Sequence, residues 1–69
     1  MVLRKRSIRL SGHNTSISLE PEFWDELNSL ASQNGVSVAK LIESIDVSRD
    51  GNLSSSLRLY VLKRLKERS

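Results

Sequence analysis

The feature that most constrains the fold is a short alternating segment at residues 14–19 that runs directly into a helical pattern. Ile17 and Leu19 share one side of this predicted strand. The side chains on its opposite side are polar: Asn14, Ser16 and Ser18. Pro21 then suits the first position of a helix, where a missing N–H costs nothing. Because a lone strand has unpaired backbone groups on both edges, we expect it to pair with the same strand of a second copy, in an intertwined homodimer.

The chain length points to the same need for a partner. Sixty-nine residues allow one domain with a small core, and such domains often depend on a disulfide, a metal or a second subunit. The chain has no cysteine, and its single histidine cannot build a histidine-rich metal site. We therefore expect no cofactor and no metal, with oligomerisation as the stabilising device.

Two broad classes of protein have little support in the sequence. No apolar run is long enough to cross a membrane, and the basic start of the chain lacks the apolar segment of a secretion signal. His13 sits in a predicted turn between Gly12 and Asn14, without a paired nucleophile. We expect a cytoplasmic, nucleoid-associated protein with no membrane partner, no enzymatic activity and no catalytic residue.

The net charge of +3 hides an uneven distribution of charge. Four basic residues and no acidic one lie within residues 1–13, and five basic residues and one acidic one within residues 51–69. The middle, residues 14–50, has seven acidic and two basic residues. Basic ends around an acidic middle favour a polyanionic partner, although small soluble domains also have such blocks without one.

Apolar spacing predicts three helices after the strand, over residues 20–34, 37–46 and about 54–67. Gly35 favours the left-handed conformation that ends the first helix. Ser37 is a good N-cap for the second helix. Each helix therefore has a local signal at its start or its end.

The chain divides into three parts. Residues 1–13 form a basic arm in which residues 7–10 could be a short strand, folded back or paired beside the main strand. Residues 14–47 hold the main strand and the first two helices. Residues 48–69 hold a loop and the third helix, capped by Ser54 or a neighbouring serine.

The order of strand, helix, Asn-Gly break and serine-capped helix resembles the ribbon-helix-helix family of bacterial DNA-binding proteins, the Arc- and MetJ-like fold. The motifs of this resemblance lie at residues 15–20, 23–24 and 35–42, with the Gly-x-Ser start of the second helix as a characteristic piece. Further motifs at residues 6–10 and 52–58 resemble a subfamily of short bacterial proteins that have a third helix and are presumed to bind DNA.

The resemblance implies a mostly α-helical, intertwined homodimer with an extra C-terminal helix. One strand from each chain would form an antiparallel ribbon that enters the major groove of double-stranded DNA, and two dimers could bind side by side. The implied function is a dimeric transcriptional regulator with specific or weakly specific DNA binding. The dimer core would contain nine residues: Ile17, Leu19, Phe23, Trp24, Leu27, Leu30, Leu41, Ile42 and Ile45.

The ribbon residues expected to contact bases are Asn14, Ser16 and Ser18. Asparagine can read adenine with two hydrogen bonds, and serine can donate or accept at most base edges. Members of the family commonly have Arg, Lys, Thr or Gln at these positions. The strand has no basic residue there, so weak base readout is expected, and the serines could be only the solvated side of an amphipathic strand.

Phosphate contacts are expected at two further places. The start of the second helix offers the backbone N–H groups of Val38, Ala39 and Lys40, together with the Ser37 hydroxyl and the Lys40 side chain. The basic arm would add salt-dependent affinity without sequence information: Arg4, Lys5, Arg6 and Arg9. A solvated lysine and a disordered basic tail are the alternatives.

The predicted loop after the second helix imitates the start of a calcium-binding loop. Asp46, Ser48, Asp50 and Gly51 have the spacing of an EF-hand. The twelfth position is Leu57, however, where the motif needs a glutamate. Calcium binding is therefore not expected.

A second function stays open beside DNA binding. Ribbon-helix-helix dimers can also serve as antitoxins or adaptors that hold a protein partner. In the helix at residues 54–67, Leu59, Tyr60 and Leu62 spread beyond a single apolar stripe. This helix could therefore be a protein-interaction surface, or it could simply seal the dimer.

Overall fold

The computed structural model describes residues 2–47 and 52–68, with side chains at residues 2–46 and 52–67. Within these residues two strands precede three helices: β1 (Arg4–Leu10), β2 (His13–Leu19), α1 (Pro21–Gln33), α2 (Val38–Val47) and α3 (Leu53–Arg68). The predicted order of a strand followed by two helices and an extra C-terminal helix is confirmed.

β1 and β2 form an antiparallel hairpin within one chain. The pairing runs from Arg4 opposite Leu19 to a two-residue turn at Ser11 and Gly12. Both turn residues have positive φ, 49° and 84° respectively. A type I′ turn requires this conformation, and its twist matches that of the flanking strands.

The hairpin corrects one premise of the sequence analysis, because β2 is not a lone strand. It pairs with β1 of the same chain, and this strand begins at Arg4, three residues earlier than the short strand considered for the arm. The physical reason is the turn, since Gly12 accepts positive φ without a steric cost and lets the chain reverse at once. β1 and β2 therefore pair within one chain, and strand pairing alone no longer requires a second copy.

α1 begins and ends as its sequence predicts. Pro21 occupies its first turn. At the other end, the N–H of Val36 donates to the carbonyl of Ala31 at 3.0 Å, and the N–H of Gly35 donates to the carbonyl of Ser32 at 3.1 Å. These two bonds, with a φ of 68° at Gly35, form a Schellman motif.

Side-chain caps start the other two helices. The hydroxyl oxygen of Ser37 accepts the N–H of Lys40 at 3.1 Å, which confirms the predicted cap of α2. In α3 the cap is Asn52 and not Ser54, since the Asn52 Oδ1 accepts the N–H of Ser55 at 3.1 Å. Asparagine is at least as good a cap as serine, and α3 starts one residue earlier than predicted.

One chain encloses its own hydrophobic core. The residues predicted for a dimer core are buried within it, except Phe23, which is partly buried at its edge. The core also takes in Leu10 of β1, Ala31 of α1, and Leu57 and Val61 of α3. The radius of gyration is 11.5 Å, close to the roughly 11 Å of a compact domain of this length. α3 packs against α2, β2 and α1 and covers the core within one chain.

The calcium-like loop lies mostly outside the described residues. Its twelfth position, Leu57, is fully buried in the core, so its side chain packs there instead of facing a loop. The described residues contain no group of His, Cys, Asp and Glu side chains that could hold a metal ion. None of the helices in the described part of the chain is long and apolar enough to span a membrane.

Candidate nucleic-acid interface

The register of the hairpin decides which side chains share its outer side. Directly opposed residues of an antiparallel pair point to the same side of the sheet. Ile8 and Leu10 pack on the core together with Ile17 and Leu19, so the intervening positions point outward. We call these six residues the outer ribbon face: Lys5, Ser7, Arg9, Asn14, Ser16 and Ser18.

The outer ribbon face has the positive charge that β2 by itself lacks. Lys5 lies opposite Ser18, and Arg9 lies opposite Asn14. Ser18 is half-buried and the other five residues are exposed. The sequence analysis predicts weak base readout because it assigns only side chains of β2 to this face. The pairing with β1 adds two cations to the same face, and no carboxylate lies among the six residues.

The other two cations of the predicted arm, Arg4 and Arg6, lie on the opposite side of β1. The guanidinium of Arg6 lies 5.3 Å from the centroid of the Trp24 ring, within cation–π range. The Trp24 Nε1–H donates to the backbone carbonyl of Arg4 at 2.8 Å. Because Trp24 is buried, these contacts fasten the start of β1 to α1. Arg6 thus lies at a packing contact, away from the outer ribbon face.

α2 contacts the turn of the hairpin through Glu43. One carboxylate oxygen of Glu43 accepts the N–H of Ser11 at 3.0 Å, and the other lies 3.9 Å from the Nζ of Lys40. The Lys40 side chain is 70% exposed. The ammonium group therefore lies beside the turn end of the hairpin and is open to solvent.

The start of α2 has fewer available N–H groups than the sequence suggested. The N–H of Lys40 is already used, because it donates to the Ser37 hydroxyl oxygen. In the described part of the chain, the N–H groups of Val38 and Ala39 have no hydrogen-bond partner. Two of the three predicted backbone donors therefore remain at this helix terminus.

The two-residue turn also decides which backbone groups of β2 face away from β1. In such a hairpin the pair next to the turn exchanges two hydrogen bonds, and bonded and non-bonded pairs alternate from there. The N–H and C=O groups of Asn14, Ser16 and Ser18 therefore point to the outer edge of β2. Across residues 2–47 and 52–68, no backbone hydrogen bond outside the hairpin uses these groups.

α3 has a second exposed surface of different character. Leu59 and Leu62 are 56% and 48% exposed, and Lys63 and Lys66 share their side of the helix. We call these four residues the α3 outer face. Tyr60, which the sequence placed in the same surface, is partly buried and packs against the core.

Arg58 fastens α3 to the junction between β2 and α1. Its Nε donates to the Glu20 Oε1 at 3.0 Å, and its guanidinium lies 5.9 Å from the centroid of the Phe23 ring. The hydrogen bond from Arg58 lowers the pKa of the Glu20 carboxyl below its ordinary value. This arginine therefore has a structural partner, unlike Arg9.

Comparison with protein families identifies the fold. The ribbon-helix-helix domain matches residues 3–65, which is nearly the whole chain. The chain belongs to the ribbon-helix-helix family. Proteins with a ribbon-helix-helix domain are generally DNA-binding regulators or antitoxins, and the fold is not an enzymatic one.

A solved structure resembles this ribbon-helix-helix chain. It is an uncharacterized protein from Bordetella pertussis Tohama I, which is 34% identical with a TM-score of 0.79. The match covers 93% of this chain and 56% of that chain, so this chain spans a little over half the length of the solved one. Comparison with curated proteins finds no match.

Proposed function

We propose that the protein is a DNA-binding transcriptional regulator that places its outer ribbon face in the major groove. The observation that carries the proposal is the content of that face: two cations, one amide and three hydroxyls on a two-stranded ribbon. The major groove admits such a ribbon, and these side chains can hydrogen-bond base edges and phosphates. The general association of the family with DNA supports the same conclusion.

Phosphate contacts around the ribbon complete the proposed mode of binding. Lys5 supplies a point charge at the end of the ribbon away from the turn, and Lys40 supplies one beside the turn. The N–H groups of Val38 and Ala39 would hold a further phosphate at the start of α2. Arg4 and Arg6 contribute long-range attraction for DNA, since they lie on the side of β1 that faces away from the groove.

We propose that the protein binds DNA as a dimer formed along the outer edge of β2. That edge has a row of unpaired backbone donors and acceptors, a surface suited to pairing with another strand. Antiparallel pairing with β2 of a second copy would give a four-stranded sheet, in which the two central β2 strands form the ribbon that enters the groove and the flanking β1 strands lie beside the phosphates. Family members generally bind DNA as dimers, which supports this assembly.

Dilution tests whether the chain stays folded when the dimer dissociates. Because α3 closes the core within one chain, we expect sedimentation to show dissociation at low concentration while the far-UV spectrum stays that of the folded chain. An obligate dimer would instead lose about 2.7 kcal/mol of stability over a hundredfold dilution. Dissociation that coincides with unfolding would restore the intertwined model.

DNA binding itself is tested by fluorescence anisotropy with two duplexes, one from beside the gene of this protein and one of random sequence. We expect tight binding to the first duplex that persists at physiological salt, and weaker binding to the second. Equal affinities that disappear with salt would indicate a non-specific binder. No binding even at low salt would contradict the proposed function.

A protein-interaction role, as in an antitoxin or an adaptor, is the second candidate, favoured by the α3 outer face. Two exposed leucines beside two lysines suit an amphipathic helix that carries leucines and acidic residues. The test is titration of the folded chain with a leucine-rich acidic helical peptide, followed by NMR, with a basic peptide of the same leucine spacing as the control. Shifts confined to α3 with the acidic peptide alone would support this role, and no shifts would contradict it.

A further inference from the structure

We propose that the outer edge of β1 binds an extended acidic segment of a partner protein, which adds to the hairpin as a further strand. The residues of β1 whose backbone N–H and C=O groups point away from β2 are Lys5, Ser7 and Arg9. All three are exposed, and among the described residues no backbone hydrogen bond outside the hairpin uses these groups. An extended chain that pairs with such an edge gains main-chain hydrogen bonds, and its alternate side chains give specificity.

The two edges of the hairpin differ in charge, which decides what each can pair with. β1 has four cations and no carboxylate among its seven residues, whereas the residues along the edge of β2 are uncharged. Antiparallel pairing of two β1 strands about Ser7 would place Lys5 of each chain opposite Arg9 of the other, and like charges in that position are destabilising. Pairing of two β2 strands about Ser16 opposes no charges. β1 therefore excludes a second copy of itself and complements an acidic strand.

The side chains of β1 specify the residues that the segment needs. Carboxylates opposite Lys5 and Arg9 would pair with these cations on the outer ribbon face, and a threonine opposite Ser7 would add a hydroxyl contact. On the other side of the strand, exposed Arg6 favours a third carboxylate and partly buried Ile8 favours a valine. Antiparallel pairing is the more stable arrangement per residue, and it gives the complementary sequence Glu-Val-Thr-Glu-Glu from N- to C-terminus.

Such a segment would compete with DNA. A strand added to β1 would place carboxylates beside Lys5 and Arg9, the two cations that the outer ribbon face offers to DNA. Bound segment and bound DNA would therefore exclude each other, and a partner with this segment would release the protein from DNA. This consequence rests on the proposed function, whereas the docking of the segment does not.

The docking is tested by NMR titration of the full chain, without DNA, with a peptide that contains Glu-Val-Thr-Glu-Glu. We expect the amides of Lys5, Ser7 and Arg9 to become protected from solvent exchange, with no change along β2. Two N-methylated peptides of equal charge are the controls. A methyl group on the threonine nitrogen removes an N–H that faces β1, and binding should weaken roughly 2- to 12-fold, the range for one hydrogen bond. A methyl group on the valine nitrogen removes an N–H that points away, and binding should be unchanged.

Matched proline variants test the edge from the side of the protein. Ser7 and Ser16 lie directly opposite each other, and the N–H of each points away from the other strand. Proline at either position therefore keeps the internal hydrogen bonds of the hairpin. Ser7→Pro should weaken peptide binding by roughly the same 2- to 12-fold, and Ser16→Pro should leave it unchanged.

Matched charge variants keep the test decisive if proline disturbs the hairpin. Arg9→Gln should bind the peptide roughly 1.4- to 5-fold more weakly, the range for one exposed ion pair. Arg64→Gln removes the same charge from α3 and should leave the affinity for the peptide unchanged. Equal losses in the two variants would show that the peptide follows net charge alone, and the docking site would be wrong.

The remaining outcomes separate this inference from the proposed function. If the peptide binds while the β1 amides stay unprotected and N-methylation of the threonine has no effect, no strand is added and the inference fails. If the β1 amides become protected as the protein alone is concentrated, a second copy occupies the edge and the inference fails. Pairing with β1 by a protein that binds no DNA at low salt would overturn the proposed function alone. With labelled duplex bound, the peptide should lower the anisotropy, and pairing that leaves the duplex in place would overturn the competition.

Discussion

The hairpin and α3 are both basic, yet their exposed surfaces differ in kind. The hairpin turns its apolar side chains to the core and exposes only polar and cationic ones on the outer ribbon face. α3 buries Leu57 and Val61 but leaves Leu59 and Leu62 exposed beside two lysines. Positive charge therefore does not by itself identify a DNA surface, because the apolar groups beside it indicate a different partner.

The difference follows from the periodicity of the two elements. Strand alternation assigns every second residue to each side, and in β1 it puts both apolar residues, Ile8 and Leu10, on the core side. The apolar residues of α3 occupy several directions around the helix, so one buried stripe cannot hold them all. The outer ribbon face thus has no apolar side chain, whereas the exposed side of α3 keeps two leucines.

The largest expected effect is a difference in stability between variants on the buried and the exposed side of α3. Leu57→Ala should destabilise the chain by about 2–5 kcal/mol, because a fully buried leucine leaves a cavity. Leu59→Ala, the matched change on the exposed side, should cost less than about 0.5 kcal/mol. Urea unfolding of both variants measures the difference. Equal and small losses would show that α3 is not part of the core.

The next effect compares the two basic surfaces as DNA contacts. Removal of two charges from the outer ribbon face, by Lys5→Gln with Arg9→Gln, should reduce the slope of log affinity against log salt by about 1.8 per chain. Lys63→Gln with Lys66→Gln removes the same charge from the α3 outer face and should leave the slope unchanged. Anisotropy titrations at several salt concentrations give both slopes. The assignment of the DNA surface would be reversed if the α3 pair changed the slope and the hairpin pair did not.

The smallest expected effect concerns the contact that joins α3 to the end of β2. Arg58 lowers the pKa of Glu20 in the folded chain below its ordinary 4.5, so the contact stabilises the fold above that pH. The stabilisation is lost as pH falls through the lowered pKa and Glu20 takes up a proton. Arg58→Gln should therefore lower the thermal midpoint near neutral pH and matter progressively less in acid. A difference between the two proteins that is the same at all pH values would rule out this carboxylate as the source.

The candidate site was predictable only in part. The sequence predicted that Asn14, Ser16 and Ser18 point outward, since alternation along a strand is a local property. The roles of the arm cations did not, because Lys5 and Arg9 join that face only through pairing with β2. The signal that could have revealed this was the Ser11-Gly12 turn between two alternating segments.

What the sequence by itself determined was local. The caps at Ser37 and Gly35, the proline at the start of α1 and the apolar spacing of the helices all act within a few residues, and all are present in the structure. Tertiary structure decided which strand pairs with β2, and it also decided that Leu57 and Val61 complete the core within one chain. These outcomes depend on contacts between residues far apart in the chain, whose net free energy no local pattern encodes.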